Sequence, residues 1–343
     1  MDDARLLAEL LEAYSPSGQE EAAVLAFTKI ARSLGYQTGV DDVGNGIARI
    51  GSGKPHILYL GHIDTVEGAI PVRIEGDVVH GRGACDAKGP LLAALLAGQG
   101  HHGSGEIVVL AAVGEEADSR GARHLIPRRN PDYLLVGEPS GWSNVTTGYK
   151  GNLSLQVAFE GVRKHLSAPD PTTVEQALAF VARVRSFCFL YHEKTPFASL
   201  TAKVSSITTA RMGSREVVKV HVNFRLPPTM KTSDVLTFLE AEGLGDRITV
   251  KDRSEAVEVP RDNEVVRALT AGIRDAGGRP KLLHKTGTSD LNLAAPVWGC
   301  PAAAYGPGDS HLDHTDEERI DMEEFRRSVA VLGGAFRSLT ARP

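Results

Sequence analysis

The chain has 343 residues, enough for two domains of ordinary size. Its formal net charge of −5, without a basic block anywhere, argues against nucleic acid as a partner. No apolar run approaches the roughly 18 residues that span a membrane, so no membrane partner is expected. The opening MDDARLLAELLEAY carries acids where a secretory signal needs a basic start, and three scattered cysteines build neither a disulfide framework nor a thiolate metal site. A cytoplasmic location is therefore expected.

Apolar residues at helical spacing predict a helix over 4–14, which Ser15-Pro16-Ser17-Gly18 interrupts. A second amphipathic helix over 19–34 follows, with Gly35 as its C-terminal cap. Residues 46–50 and 56–60 read as strands. The second ends at Gly61, and His62 and Asp64 come directly after it. Two residues apart in extended chain, these side chains emerge on one face. A histidine and a carboxylate presented there suit a hard metal ion, although a capping aspartate beside a surface histidine reads the same way. The turn Gly81-Arg82-Gly83 then delivers Asp86, and an Ala/Leu helix runs from Lys88 to about Ala97.

Three more apolar strands follow the same plan. Residues 106–113 end in Gly114-Glu115-Glu116, and 133–136 end in Gly137-Glu138-Pro139. Residues 302–305 end in Gly306-Pro307-Gly308, with His311 and His314 beyond. Strands alternating with helices predict a mostly parallel sheet covered on both faces, an α/β fold. In such folds function gathers beyond the carboxyl ends of the strands, so these turns can share one crevice.

The middle of the chain has another texture. From Gly148 to about Val257, strands such as Leu153-Ser154-Leu155-Gln156-Val157 alternate apolar and polar residues, the habit of an antiparallel sheet with one wet face. Helices fit near 173–187 and 232–242, and a helix over 262–276 resumes the first domain. The expected organisation is a discontinuous α/β domain, 1–148 and 258–343, interrupted by a smaller α+β domain, 149–257.

The strand-end residues are His62, Asp64, Asp86, Glu115, Glu116, Glu138 and His314. So many carboxylates repel one another unless something cationic neutralises them. Two divalent ions sharing Asp86 would do so, each taking one histidine and one outer carboxylate. One of the two adjacent glutamates must then stay unligated, as a general base for water.

In combination, GHIDTV (61–66), GRGACDAKG (81–89), GEE (114–116), GEPS (137–140) and GPGDSHLDHTDEE (306–318) resemble the M20 metallopeptidases, over essentially the whole chain and in order. The resemblance implies two Zn²⁺ or Co²⁺ ions bridged by Asp86, with His62 and Glu138 on one and Glu116 and His314 on the other. It makes Glu115 the general base and has Asp64 orient His62 through a hydrogen bond. It also implies that the middle domain forms a homodimer. There His165, in GVRKHLSAP, matches a histidine that reaches the partner subunit's site and helps hold the developing oxyanion. Arg225, in NFRLPP, matches an arginine that holds a substrate carboxylate, although Asn223 stands where the family more often has Asp. The run from Lys285 to Asp290 resembles a loop lining the substrate pocket.

The implied reaction is hydrolysis of an amide that blocks an amino acid's amino group. KTGTSDLN and YGPGDSHLDHTDEE look most like the lysine-biosynthetic branch, which releases lysine or ornithine from the terminal glutamate of an acidic amino-group carrier protein. A deacetylase of acetylornithine or acetyllysine, a dipeptidase or tripeptidase, and a catalytically silent binding protein on this fold are the alternatives.

Overall fold

The computed structural model describes residues 2–165, 167–244 and 247–341, and divides into two compact units. The first comprises 1–148, 259–284 and 289–343; the second comprises 149–258 and 285–288. The segment 285–288, expected in the first domain, thus groups with the second. Leu166, beside His165, lies outside the described residues.

At the centre of the first unit lie the four apolar strands read from the sequence. Gly105–Ala112, His56–His62, Tyr133–Gly137 and Ala302–Ala304 are neighbours in that order, and every pairing among them is parallel. Ile57 to Leu60 are buried without exception, as befits a strand covered on both faces. Antiparallel strands extend the sheet: Gly46–Ser52 then Gln37–Val40 on one side, and Asn144–Tyr149 on the other. Parallel strands point their carboxyl ends at one edge, so His62, Glu115, Glu138 and the loop after Ala304 emerge together.

Helix Lys88–Gly98 is apolar all round and buried from Lys88 to Leu95, a pattern that fits only a helix enclosed between layers. It packs on the strands His56–His62 and Gly105–Ala112 and on the helix Met322–Thr340. The sheet approaches it so closely that a Cβ at Gly61 would stand 2.9 Å from Leu91 Cδ2. Met322–Thr340 did not stand out in the sequence, yet Phe325, Val331, Leu332, Phe336 and Leu339 on it are buried in the core. A three-stranded sheet of Arg73–Glu75, Val78–His80 and Arg319–Asp321 is also new; it ties the residues before Arg82 to those after Glu318.

The second unit is an antiparallel sheet in the order Thr201–Met212, Arg215–Leu226, Gly151–Val162, Ile248–Ser254. Leu153, Leu155, Val157 and Phe159 alternate inward on one strand, as do Val218, Val220, Val222 and Phe224 on its neighbour. Helices Thr173–Leu190 and Thr232–Ala241 supply the other half of that core through Ala177, Phe180, Val184, Val235 and Leu239. The longer helix begins at a reciprocal cap in which Thr172 accepts from the Glu175 amide and Glu175 accepts from that of Thr172.

Candidate metal centre

His62 ends its strand buried, with both ring nitrogens engaged. Nδ1 donates to the Asp64 carbonyl at 2.9 Å, and Nε2 faces Asp86 Oδ1 at 2.9 Å. The other Asp86 oxygen, Oδ2, lies 3.2 Å from His314 Nε2, and the same nitrogen is 2.8 Å from Glu116 Oε1. Asp86 therefore presents one oxygen to each of two histidines brought from opposite ends of the chain. His314 reaches it from a left-handed backbone conformation (φ 62°), uncommon for a residue with a side chain.

The sequence suggested that Asp64 orients His62 by a hydrogen bond. That bond runs to the Asp64 main-chain carbonyl, while its carboxylate lies 3.6 Å from Nδ1. The carboxylate instead anchors the neighbouring turn: Oδ1 accepts from the Glu115 amide at 3.0 Å, and Oδ2 from the Glu116 amide at 3.1 Å. Ser17 Oγ adds a third bond at 2.7 Å. Sequence reading took Ser17 only as part of a helix break. Its role arises because the chain around Ser15 lies beside Thr65, with Thr65 N bonded to Ser15 O at 2.9 Å.

Charge and burial oppose each other at these groups. Burial alone would push the Asp86 carboxyl up, but hydrogen bonds from His314 and His62 hold it well below the ordinary range. Burial would likewise lower His62, yet the Asp64 and Asp86 carboxylates beside its ring and the charge of Glu115 raise it well above the usual histidine value. Hydrogen bonds to Asp86 and Glu116 lift His314 to about 10. Glu115 goes the other way. The protein crowding this half-buried side chain pushes its carboxyl well up, and Glu138, Asp290 and Glu116 add to the push against His62. Burial also raises buried Asp290, to about 7, and its Oδ1 has no hydrogen-bond partner among the described residues.

This donor set fits divalent metal. The donor to the Asp64 carbonyl fixes the His62 tautomer, so a neutral ring aims its Nε2 lone pair at the Asp86 carboxylate. Only a proton or a cation between them makes that contact favourable. Ligand atoms of His62, Asp86 and Glu116 all lie within 4.8 Å of one another, close enough to share an ion. Glu115 stands outside that group. Glu138, at the end of its strand, is half-buried and bears on Glu115 by charge. His311, three residues before His314, is exposed, with its amide bonded to Asp309 Oδ1.

His165 and Arg225 belong to the second unit. His165 is exposed, its Nδ1 2.7 Å from Ser167 Oγ. Arg225 is half-buried and donates from Nη1 to Thr288 Oγ1 at 3.3 Å, so two elements expected to bind substrate meet within one unit. Asn223 donates to Asn152 Oδ1 at 2.6 Å.

To four parallel strand ends and a carboxylate shared by two histidines the sequence adds a match over residues 58–338 to the family model for Peptidase family M20/M25/M40. The chain belongs to this family and is a metal-dependent hydrolase. Among its relatives is the [LysW]-lysine hydrolase of Deinococcus radiodurans, 36% identical over 97% of this chain and 96% of that one. Another is a putative [LysW]-lysine/[LysW]-ornithine hydrolase of Pyrococcus horikoshii, 38% identical over 98% and 97%. An M20 metallo-carboxypeptidase from Sulfolobus solfataricus shares the fold over the full length of both chains (TM-score 0.78, 17% identity). Human carnosine dipeptidase 1 does so over 99% and 97% (TM-score 0.75, 14% identity).

The raised carboxyl of Glu115 carries a stability consequence. A carboxyl whose folded pKa lies above its unfolded value, about 4.3, makes folding less favourable at any pH above that value, because the folded state binds the proton more tightly than the unfolded one. In chelator-treated protein at pH 7, Glu115→Gln removes that cost and should raise Tm, by roughly 2–4 °C for each kcal/mol relieved. An unchanged or lower Tm would mean that the Glu115 carboxylate is not destabilised by its surroundings.

Proposed function

We propose that this enzyme hydrolyses the amide joining the amino group of lysine or ornithine to the terminal glutamate of a small acidic amino-group carrier protein, in lysine or arginine biosynthesis. The observation that carries this reading is the near end-to-end similarity to hydrolases named for LysW-lysine and LysW-ornithine, in a chain that brings His62, Asp86 and Glu116 close enough to hold an ion. A cytoplasmic setting agrees with its three free cysteines.

Two ions, Zn²⁺ or Co²⁺, would be held by His62 and Glu138 on one side and Glu116 and His314 on the other, with Asp86 between. When bound, they supply Lewis-acid polarisation of the amide carbonyl and make water a stronger acid. Glu115 takes a proton from the attacking water, which forms the new C–O bond. It then returns that proton to the leaving nitrogen as the C–N bond breaks. A carboxyl raised by its surroundings suits both halves of this task better than an ordinary one. Asp64 keeps the Glu115-Glu116 turn in place through both amides.

The deciding assay sets carrier-linked lysine and ornithine against acetyllysine, acetylornithine, dipeptides and tripeptides on protein loaded with close to two ions per chain. Faster turnover of a small acylated amino acid or peptide would overturn the carrier reading. Within the same assay, Glu115→Gln should lower kcat at least about 100-fold with metal retained. Glu116→Gln should instead lose metal by elemental analysis, and the opposite pattern would exchange their roles.

The second unit acts as the dimerisation domain in this proposal, and exposed His165 serves the partner subunit's site. Mixing His165→Ala chains with Glu115→Gln chains should restore part of the activity, because one hybrid site keeps both residues. No recovery after confirmed subunit exchange would remove His165 from that role.

Arg225 pairs with the free α-carboxylate of the bound amino acid. Charge-assisted bonds of this kind contribute roughly 1.5–3 kcal/mol. Arg225→Ala should therefore cost about 10- to 100-fold in kcat/KM on substrates with a free carboxylate, and much less on their amides. An equal loss on both would make Arg225 a structural residue.

A further inference from the structure

Arg82 and Glu318 form an ion pair that is almost wholly buried, at 4% and 1% exposure, with Nη1 3.0 Å from Oε2. They are 236 residues apart in sequence and belong to the two loops that bring Asp86 and His314 together. Each partner also reaches beyond the pair. Glu318 Oε1 accepts from the amides of Cys85 and Asp86 at 3.0 and 3.1 Å, so one carboxylate oxygen grips the main chain of the shared ligand itself. Arg82 Nη1 donates to the carbonyl of Thr315, next to His314, at 2.8 Å, and Nε donates to Gly68 O at 2.9 Å. Behind them, His80 pairs with Arg319 in the three-stranded sheet, which sets the register at which the loops meet.

A buried ion pair seldom adds stability over an apolar pair of similar volume, because desolvation offsets the attraction. Its distinctive property here is directional. The carboxylate has oxygens for both the Asp86 amide and the guanidinium, while the guanidinium has donors for both the carboxylate and the Thr315 carbonyl. The chain path from Asp86 through Glu318 and Arg82 to Thr315 and His314 is thus closed by hydrogen bonds.

We propose that Arg82 and Glu318 are positioning residues for the metal centre, a clamp that sets the separation of the Asp86 carboxylate from the His314 ring before metal arrives. The clamp rests on the dinuclear reading of the site but on no particular substrate, so it is tested on metal binding alone. Outer partners of metal ligands typically contribute about 10- to 100-fold in affinity.

The test is a Co²⁺ titration of chelator-treated, dialysed protein, followed by elemental analysis and by visible absorption, which reports cobalt geometry. Arg82→Met/Glu318→Met removes both charges at similar length, so neither partner is left buried without the other. Folded by circular dichroism, it should bind Co²⁺ about 10- to 100-fold more weakly and with an altered absorption band. Glu318→Gln keeps an oxygen for the two amides and should retain more affinity than the double variant. Wild-type affinity and spectrum in the folded double variant would overturn the clamp. Should that variant not fold, hydrogen exchange on chelator-treated wild-type protein decides. Protected amides at Cys85 and Asp86 support the clamp, and freely exchanging ones overturn it. Wild-type protein that takes up no cobalt overturns the metal centre and the clamp together.

Discussion

Like charges crowded into one place are the constraint on which the rest of this structure depends. Asp64, Asp86, Glu115, Glu116, Glu138 and Asp290 all lie at or near the carboxyl edge of a parallel sheet whose own interior is apolar. Two histidines face them, and both are driven toward the protonated state. A polypeptide keeps such a cluster only where a cation completes it, because several buried or half-buried carboxylates otherwise cost more than the surrounding packing returns. The parallel core meets that need: it is held by contacts that do not involve the site, so the ligand loops can be arranged for binding at the expense of local comfort. His314, with its left-handed backbone, is one place where that strain shows.

The same carboxylate chemistry serves two purposes according to its partners. Against its burial, neighbouring His62, a serine hydroxyl and two amides all favour the charged form of Asp64, so it works as a fixed anchor. Glu115, whose amide Asp64 holds, is crowded by protein and by three other acids, which disfavour its charge. Identical functional groups separated by environment in this way are how a site divides structural work from proton transfer at one pH. The anchor also fixes where Glu115 stands, since Asp64 holds the amide of Glu115 itself.

Much of this was legible in the sequence. The four apolar strands announced a parallel sheet because burial on both faces removes any polar alternation from Ile57 to Leu60, and all four are neighbours in it. The alternation in Leu153 to Val157 announced an antiparallel sheet with one wet face for the same reason in reverse. The acids and histidines following those strands were visible as a set, because a parallel sheet delivers all its carboxyl ends to one edge. Their resemblance to a metallopeptidase family came from short motifs in a fixed order, which survive wherever the chemistry needs particular atoms.

What the sequence could not carry was every relation closed by hydrogen bonds between distant segments. Ser17 reads as a turn residue until the chain around Ser15 is laid beside Thr65. Arg82 reads as part of a glycine turn and Glu318 as the last residue of a motif until a small sheet that no hydrophobic pattern announces brings them together. The Asp64 carboxylate reads as a partner of its near neighbour His62, and it stays 3.6 Å from Nδ1, but the folded chain also gives its two oxygens to the Glu115 and Glu116 amides and puts the Asp64 carbonyl nearer the ring. Periodicity records which face of an element is buried, and the amino-acid sequence by itself determined that much, together with the inventory of metal-binding groups. Which acid anchors the neighbouring turn, which carboxyl is pushed up by its surroundings and which pair of charges joins the two loops depends on contacts between residues far apart in sequence, and only the tertiary structure decided them.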